Sequence, residues 1–270
     1  MDVKITDDAG TTHAAAGAEA RILSLVPSIT ELLFDLGLAD RIVGRTAFCV
    51  HPAARVVAVP SVGGTKRVSM DKVLSTGATH AIVNIDENPK ALADELSAAG
   101  LSIVVTHPLE VDDNLSLFRL MGALFDRNDE AAALCDEFQA ASGDLRAAAR
   151  TWPLRQVLYL IWQDPWMTVS RDTYIARFLA EAGWQTIGHD AAVRYPEIAM
   201  SEDVLADVDA VLFSTEPYSF TEAHLSAFRQ TFPSHAHKAR LIDAEMVSWY
   251  GSRAIAGLRY LRRFAAPEAA

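Results

Sequence analysis

Two tryptophans and a methionine lie together in one short stretch, where Trp162, Trp166 and Met167 fall within six positions. They follow an apolar run over 156–161 that has the length and composition of a buried strand. Indole rings are flat and rigid, and they offer a large apolar face on which a macrocycle or a metal chelate stacks. The stretch therefore predicts a ligand-binding loop after a strand. The alternative is that one or both rings belong to the core.

Cys49 and His51 form a second group capable of chemistry. Thiolate and imidazole coordinate metals, and a cysteine near a histidine is also the beginning of a nucleophilic site. Two ligands without a third make a poor metal site, so lining of a ligand site is favoured over coordination. A catalytic interpretation needs a carboxylate such as Asp86 or Glu87, and Asn88 beside them is equally well explained as a helix N-cap.

Several catalytic motifs are absent from the sequence. It contains no phosphate-binding loop, no nucleophile elbow, no zinc-protease His-Glu-x-x-His motif and no dinucleotide-binding glycine pattern followed by an acid. His235 and His237, on a loop predicted to be exposed, lack the further ligands that a zinc site needs. We therefore expect a binding protein without a resident metal or cofactor. An enzyme that uses Cys49 and His51 is the less favoured alternative.

Composition narrows the classes of partner. The formal net charge is −11, and the one dense basic cluster is Arg259, Arg262 and Arg263, so a nucleic-acid surface is not expected. No apolar run approaches the ~18 residues of a membrane helix, so no membrane insertion is expected. Two distant cysteines, Cys49 and Cys135, do not indicate a disulfide framework. The chain is expected to be a monomer.

Residues 1–20 lack the basic start and apolar centre of a secretory signal and carry several acids. This composition predicts a disordered N-terminal tail. Taken as written, the sequence predicts a cytoplasmic protein. If a leader has been removed from it, the periplasm is expected.

A long helix is the element that organises the rest of the chain. Apolar residues recur at spacings of three and four over 128–150, which predicts a helix of about 34 Å at a rise of ~1.5 Å per residue. Strands and helices alternate on either side, and the segment 70–83 resembles the segment 201–213 in its order of acid-led helical turn and apolar strand. Such a repeat predicts two similar α/β lobes with parallel sheets. The expected divisions are a disordered tail over 1–20, an N-terminal lobe over 21–127, a connecting helix over 128–152 and a C-terminal lobe over 153–270.

Local signals refine the start of the N-terminal lobe. Ser28 is expected to cap the first helix, with Glu31 three residues later in a capping box. Gly37 is expected to follow the end of that helix. A strand is expected over 56–59.

The order and spacing of these pieces resemble the helical-backbone substrate-binding proteins of ABC importers, which are receptors for vitamin B12, ferric siderophores and haem. Within that family the pattern is most similar to the vitamin B12-binding members. The resemblance covers nearly all of 21–264. It rests on the segments RILSLVPSITELLFDLGL, RIVG, PSVGG, SMDKVLSTGATHAIV, VLYLIWQDPWMTVSRDTYIARFLAEAGWQTIG, YPEIAMSEDVLADVDAVLF and LIDAEMVSWYGSRAIAGLRYL.

The resemblance implies two Rossmann-like lobes joined by one long helix, with the ligand held in a cleft between strand-end loops of both lobes. The ligand itself carries cobalt or iron where it is a corrinoid, haem or siderophore complex. By position, Trp166, Tyr195 and Arg253 match residues that line the site in the family. The further candidates on the same loops are Pro27, Ser28, Phe48, Cys49, His51, Gly63, Gly64, Trp162, Met167, Arg194, Trp249 and Tyr250.

Two further features bear on the ligand and on the partner. The vitamin B12 receptors have a tryptophan where this chain has Val62, Gly63 and Gly64, so the wall is open there, and Thr65 and Lys66 offer polar contacts instead. Asp71 and Glu202 occupy matching places at helix starts in the two lobes, where acids of the family dock onto the membrane permease. Placement in the helix dipole explains them equally well.

The sequence thus predicts a substrate-binding protein of the ABC-importer type that binds a metal chelate, with a permease partner if it is exported. The alternative is a cytosolic protein that binds or handles a ligand on the same fold without a permease.

Overall fold

A computed structural model describes residues 5–187 and 192–267 of the chain. The chain divides into two compact units. Unit 1 comprises Met1–Pro108, Asp112–Phe138 and Tyr250–Arg253, and unit 2 comprises Leu109–Val111, Gln139–Trp249 and Ala254–Ala270.

Unit 1 is built on a parallel sheet. Its strands are β1 Ile5–Thr6, β2 Thr12–His13, β3 Ile22–Ser24, β4 Ile42–Thr46, β5 Ser61–Gly63, β6 His80–Asn84 and β7 Ser102–Thr106. Its helices are α1 Pro27–Asp35, α2 Ala53–Val56, α3 Met70–Thr76, α4 Lys90–Ala98, α5 Asp113–Phe125 and the first part of α6 Asn128–Ala149, with a 3-10 turn at Ala39–Arg41. Among the described residues the sheet has the order β5-β4-β3-β6-β7, and each of these pairings is parallel.

Helices bury this sheet because its strands are short apolar runs rather than alternating ones. Leu23, Val83 and Leu101 belong to one buried cluster with Leu92 and Leu96 of α4. Leu92 and Leu96 are four positions apart and therefore lie on one face of the helix. The core of unit 1 thus forms where the apolar stripe of a helix covers the sheet.

Unit 2 repeats this plan. Its strands are β8 Arg155–Trp162, β9 Met167–Thr168, β10 Trp184–Thr186, β11 Ala210–Ser214 and β12 Ala239–Ile242. Its helices are the rest of α6, α7 Tyr174–Ala180, α8 Glu202–Ala206, α9 Glu222–Thr231, α10 Glu245–Ser248 and α11 Arg253–Phe264, whose first residue belongs to unit 1, with a 3-10 turn at Pro233–Lys238. In the described part of the chain the parallel order is β10-β8-β11-β12, and β9 pairs antiparallel with β8.

The two central strands of unit 2 are apolar almost throughout. All five residues of β11 are buried, and so are the residues of β8 from Val157 to Ile161. Continuous burial is the mark of a parallel strand that is covered on both faces. The predicted fold class, α/β with parallel sheets, is confirmed, and so are the long helix, now Asn128–Ala149, and the repeat, since α3 with β6 corresponds to α8 with β11 in the other unit.

The N-terminal residues differ from the predicted disordered tail. Residues 1–4 lie outside the described residues, but β1 and β2 pair as an antiparallel hairpin. The Asp7 carboxylate organises it by accepting hydrogen bonds from the backbone N–H groups of Ala9 (3.1 Å), Thr11 (2.9 Å) and Val105 (3.0 Å). An acid that lowers the mean hydropathy is here a buried acceptor, so composition alone gave the wrong prediction.

Two local predictions for unit 1 are also wrong. Helix α1 begins two residues earlier than expected, with Pro27 in its first turn and Val26 at the N-cap, and no side chain caps it. Ser28 is therefore inside the helix. Residues 53–56 form the short helix α2 rather than part of a strand, and the next strand is Ser61–Gly63.

Within 5–187 and 192–267, no helix is both long enough and apolar enough to cross a bilayer.

Gly257 of α11 offers a test of packing in unit 2. A Cβ atom at this position would collide with the carbonyl oxygen of Met246 and lie 3.1 Å from the Phe178 ring. Gly257→Ala should therefore destabilise the protein by about 1–3 kcal/mol, as overpacking does. The measurement is the free energy of unfolding in urea.

Gly143 of α6 is the matched control, because an added Cβ has nothing within 4 Å. Gly143→Ala should stabilise by up to about 1 kcal/mol, the difference in helix propensity between the two residues. Equal effects of the two substitutions would contradict the close approach at Gly257.

Candidate functional site

Phe48 is the most exposed large apolar side chain on the loops that follow the strands of unit 1. It comes two residues after β4, and 61% of it is exposed. Pro27 is partly buried in the first turn of α1, after β3, and His51 is partly buried further along the loop of Phe48. In parallel sheets, ligands bind at the carboxyl ends of the strands. Phe48 therefore gives this edge of unit 1 an apolar ring.

Cys49, by contrast, is part of the core. Only 1% of it is exposed, and its sulfur lies 3.0 Å from the Thr30 hydroxyl and 3.2 Å from the Thr46 hydroxyl. Burial raises the pKa of the Cys49 thiol, because the thiolate loses hydration there. The prediction that Cys49 lines a ligand site is corrected by this burial. A protonated, inaccessible thiol is also a poor nucleophile and a poor metal ligand.

The backbone geometry after β5 explains why glycine occupies position 63, and it brings Gly64 next to Phe48. The backbone of Gly63 has φ of 144°, and a Cβ atom there would lie 2.6 Å from the Arg67 carbonyl oxygen. This close approach lets Gly64 donate its N–H to the same oxygen at 2.8 Å. A Cβ built at Gly64 would lie 3.5 Å from Cε2 of Phe48. The missing tryptophan is thus excluded at Gly63, and the ring of Phe48 stands next to the gap.

Arg253 is held by an internal partner. Its guanidinium donates to both carboxylate oxygens of Glu31 in α1, at 2.8 and 2.6 Å, and both side chains are largely buried. Burial raises the pKa of the Glu31 carboxyl, and the hydrogen bond and charge of Arg253 offset only part of that effect. Because both oxygens of its carboxylate accept from Arg253, Glu31 does not close the predicted capping box. The ligand-binding role of Arg253 stays a prediction, because the observed geometry gives it a bidentate structural contact.

Tyr250 lies in the same returning segment of unit 1. Its hydroxyl donates to Oε1 of Glu87 at 2.6 Å, and burial, followed by the nearby Glu87 carboxylate, raises the pKa of the phenol well above its usual value. The Gly251 N–H donates to Oδ1 of Asn114 at 2.6 Å. Ser28 is 3% exposed, and its hydroxyl lies beside the Tyr250 hydroxyl, where it offsets a small part of the rise in the pKa of that phenol. Tyr250 and Ser28 are thus buried, and their predicted ligand contacts remain predictions.

The polar residues after β6 join neighbouring strand-end loops of unit 1 to one another. Asn88 is not the N-cap of α4, which is Pro89; its amide donates to the carbonyls of Leu25 (3.3 Å) and Thr65 (2.8 Å). Lys66 donates to the Asp86 carbonyl at 3.1 Å. Asp86 also lies 3.4 Å from Nε2 of His107, a residue that the sequence analysis missed.

Trp162 supplies the exposed ring of unit 2. It is the last residue of β8, 41% exposed, and its ring meets Tyr218 edge to face with centroids 5.3 Å apart. Trp166 is different, because it packs against the core and stacks on Phe220 with centroids 6.1 Å apart. The exposure of Trp162 suits its predicted place on a ligand-binding loop, whereas Trp166 is partly buried against the core, and the ligand contacts of both stay predictions.

Tyr195 extends the aromatic surface of unit 2. It lies on a segment that runs beside β9, where the Thr168 N–H donates to the Pro196 carbonyl at 3.0 Å and Met167 bridges Glu197. The ring is 42% exposed, and the Arg194 guanidinium lies 5.9 Å from its centroid. A cation above an aromatic face stabilises both in place.

Trp249 bonds to an acidic residue on another loop of unit 2. Its indole N–H donates to Oε2 of Glu216 at 3.2 Å. Glu216 follows β11, and Asp243 follows β12. Neither acid was among the predicted site residues, although an acid directly after an apolar run is a signal that the sequence contains.

Glu202 has a partner on its own unit. Its carboxylate lies 2.9 Å from Nε2 of His235. Asp71 is exposed in the first turn of α3, which Ser69 caps. His235 thus contacts a carboxylate, and no group of three or more His, Cys, Asp or Glu within the described ranges could hold a metal ion.

Comparison with known proteins places the chain in a family. The family model described as periplasmic binding protein matches residues 22–241. The chain belongs to the periplasmic binding protein family.

Relatives within and around this family are distant in sequence and near in fold. A vitamin B12-binding protein of Yersinia pestis (strain Pestoides F) is 25% identical over 69% of this chain and 66% of its own length. A periplasmic vitamin B12-binding protein of Vibrio cholerae has a TM-score of 0.79 at 17% identity, covering 92% of this chain and 97% of its own. A periplasmic haem-binding protein from Pseudomonas aeruginosa has a TM-score of 0.78 at 22% identity, covering 93% and 94%. The match to the Yersinia relative thus spans just under two thirds of that protein.

The pair of Glu31 and Arg253 yields a prediction for stability. Glu31→Ala leaves a largely buried guanidinium without its carboxylate and should cost about 3–5 kcal/mol. Glu31→Leu combined with Arg253→Met replaces the pair by apolar groups and should be neutral or stabilising. Since burial raises the pKa of Glu31 in the folded state, the folded protein holds this proton more tightly than the unfolded chain, and the stability that comes from this difference is lost as pH rises through the raised pKa.

Urea unfolding of the single and double variants checks this prediction. Asp94→Ala, which removes the exposed pair of Asp94 and Lys90, is the control and should change stability by less than about 1 kcal/mol. A cost for Glu31→Ala no larger than that of the control would show that the pair is not structurally important.

Proposed function

We propose that this protein is the substrate-binding component of an ABC importer and that its ligand is a metal chelate with a flat or macrocyclic organic frame. Corrinoids, haem and ferric siderophores are the members of that class to consider. The observation that carries the proposal is the exposure of Phe48 in unit 1 and of Trp162 in unit 2, each at or just after the end of a parallel strand.

Exposed rings at these positions are costly unless they have a use. Large apolar side chains on strand-end loops lose the free energy of burial, about 1.5–3 kcal/mol for a side chain of this kind. A rigid ring in that place gains the same energy when a flat ligand covers it, at a small cost in side-chain entropy. The relatives named as vitamin B12-binding and haem-binding proteins support a ligand of this shape.

Polar groups on the loops of unit 2 support recognition of a ligand that has amide or hydroxyl groups at its edge. The Trp249 indole and the Glu216 carboxylate are already paired, and the Arg194 guanidinium lies near the Tyr195 ring. Such pairs hold donors and acceptors in fixed orientations. A few oriented polar groups within an aromatic surface are typical of small-molecule sites.

An enzyme that uses Cys49 and His51 is disfavoured by the same structure. The thiol is buried, and burial raises its pKa, so a thiolate nucleophile is not available. The family that the chain belongs to is one of binding proteins.

Titration of the purified protein with a panel of chelates tests the proposal. Cyanocobalamin, haem and a ferric trihydroxamate are each added while the heat of binding and the tryptophan fluorescence are followed. One panel member should bind saturably, and Trp162→Ala and Phe48→Ala should each weaken it by about 10-fold or more, which corresponds to ~1.4 kcal/mol.

Trp152→Ala is the matched control, because Trp152 precedes β8 and therefore lies at the amino end of the sheet. It should leave the affinity within about twofold of the unchanged protein. Absence of binding by every chelate, or equal losses for Trp152→Ala and Trp162→Ala, would overturn the proposal.

Docking to a permease is the second part of the proposal and applies if the protein is exported. The relatives described as periplasmic favour export over the cytoplasm that residues 1–20 suggested. Asp71 and Glu202 are exposed acids at the starts of equivalent helices, one in each unit, and exposed carboxylates steer association with a basic surface.

Uptake of the bound chelate by native cells tests the docking. Asp71→Ala together with Glu202→Ala should lower uptake by about 10-fold and leave chelate affinity unchanged. Asp203→Ala, on the same helix as Glu202, is the control and should leave uptake unchanged. Uptake that is insensitive to the double substitution would favour the cytosolic alternative without a permease.

A further inference from the structure

The outer edge of β7 in unit 1 is protected in an unusual way. No described strand pairs with β7 on the side away from β6. At Val105 two acids replace a strand, because the Val105 N–H donates to the Asp7 carboxylate at 3.0 Å and the Val105 carbonyl accepts the Asp8 N–H at 3.1 Å. An edge strand with open hydrogen-bonding groups is a template for another chain, and the N-terminal segment covers part of this template.

The same edge is open two residues earlier. In a parallel strand, the N–H and C=O of one residue face one neighbouring strand, and those of the next residue face the other. Ser102 faces β6, because its N–H donates to the Thr79 carbonyl at 2.9 Å. Ile103 and Val105 therefore both direct their backbone groups away from β6. Within the described part of the chain, neither the N–H nor the carbonyl of Ile103 has a hydrogen-bond partner. One donor and one acceptor are therefore available at strand spacing.

A cavity of about 910 Å³ lies along this edge. Val83, Leu101 and Ile103 contribute apolar surface to it, and the segment from Thr11 to Ala16 forms the opposite wall. Helix α4 closes the remaining side with Lys90, Ala93, Asp94 and Ser97, which share one helical face. None of the residues predicted from sequence to bind a ligand lines this cavity.

We infer that this cavity binds a short, extended peptide with small apolar side chains, which pairs with Ile103 as an added strand. Addition of a strand to an open sheet edge supplies main-chain hydrogen bonds, while the apolar floor accepts alternate side chains. At ~3.3 Å per residue, a peptide of three residues covers about 10 Å, which is enough to pair with Ile103 while Val105 stays bonded to Asp7 and Asp8. The volume lies within the range of about 300–1,000 Å³ that is typical of small-molecule sites.

Uncharged peptide ends suit the walls of the cavity. The Lys90 ammonium is already paired with both oxygens of Asp94, at 2.7 and 2.8 Å. His13 is likewise paired with Asp7 at 3.0 Å. The charged side chains of the cavity are thus paired with each other or with Asp7, so we expect a peptide backbone to bind at Ile103 rather than a charged group.

Isothermal titration calorimetry of the full chain with N-acetyl-Ala-Val-Ala-amide tests the inference. We expect a dissociation constant on the order of 1 mM or lower, typical of a small ligand with few hydrogen bonds. The same peptide with every amide nitrogen methylated should bind at least about 10-fold more weakly, because it cannot donate to the Ile103 carbonyl. Hydrogen exchange at the Ile103 amide should slow when the unmodified peptide is bound.

Two substitutions on α4 distinguish the effect of filling the cavity from a general loss of folding. Ala93→Phe places a ring in the cavity and should weaken the peptide about 10-fold or more, whereas Ala91→Phe, on the exposed face of α4, should leave it within about twofold. Ile103→Pro removes the free N–H at a position where an edge strand tolerates proline, and should also abolish binding. Chelate affinity should be unchanged in Ala93→Phe, which shows that the variant is folded.

Three results would overturn the inference. They are no heat of binding up to about 10 mM peptide, equal affinity for the methylated peptide, and equal affinity of Ala93→Phe and the unchanged protein.

Discussion

Burial of both faces of its parallel sheets is the constraint on which the structure of each unit depends. Strands such as β11, buried at every residue, can present no polar side chain to solvent along their length. Their backbone groups are satisfied only by neighbouring parallel strands, and helices must cover both faces. Side chains that are to meet a ligand are therefore confined to the ends of the strands. This is why Phe48 and Trp162, at the carboxyl ends of β4 and β8, are exposed although they are apolar.

The same constraint determines where buried polar groups occur. Cys49 directly follows Phe48 on the same loop, yet its side chain is buried in the core, where two threonine hydroxyls contact its sulfur. Glu31 lies one helical turn into α1, and its bidentate contact with Arg253 offsets part of its desolvation. Neighbouring residues on one loop thus have opposite environments, and a residue type alone does not show whether it serves the ligand or the fold.

Periodic features were predictable from sequence, whereas pairings across long separations were not. The helix Asn128–Ala149 is predicted by the spacing of its apolar residues, and the strands β8 and β11 are predicted by their apolar runs. Each of these signals follows from the local geometry of the element. The contact of Arg253 with Glu31 joins residues 222 positions apart, and nothing in the local sequence specifies it. Ser28 and Glu31 fit a capping box by spacing, but the helix begins at Pro27, two residues earlier than that box implies, and Ser28 lies inside it.

The position of the candidate site at the strand ends was predictable from sequence, but the environment of each of its residues was less so. The rule that loops at strand ends carry the ligand identified Phe48 and Trp162 correctly as exposed residues. The hairpin at the N-terminus was missed because its stability comes from one carboxylate, Asp7, that bonds to three backbone groups. Composition counts that acid as polar surface, and only its burial shows that it is a structural acceptor.

The glycine pair after β5 shows how a fold can be kept while the ligand surface changes. A side chain at Gly63 would enter the space of the Arg67 carbonyl, so the backbone path excludes a tryptophan at that position. The ring of Phe48, beside Gly64, supplies aromatic surface from a different strand. Because the sheet fixes only where the loops begin, an exchange of this kind leaves the family's fold intact and alters the shape of the surface that meets the ligand. A change in the ligand surface therefore requires changes only in the loops, and Phe48, exposed after β4 beside Gly64, lies on such a loop.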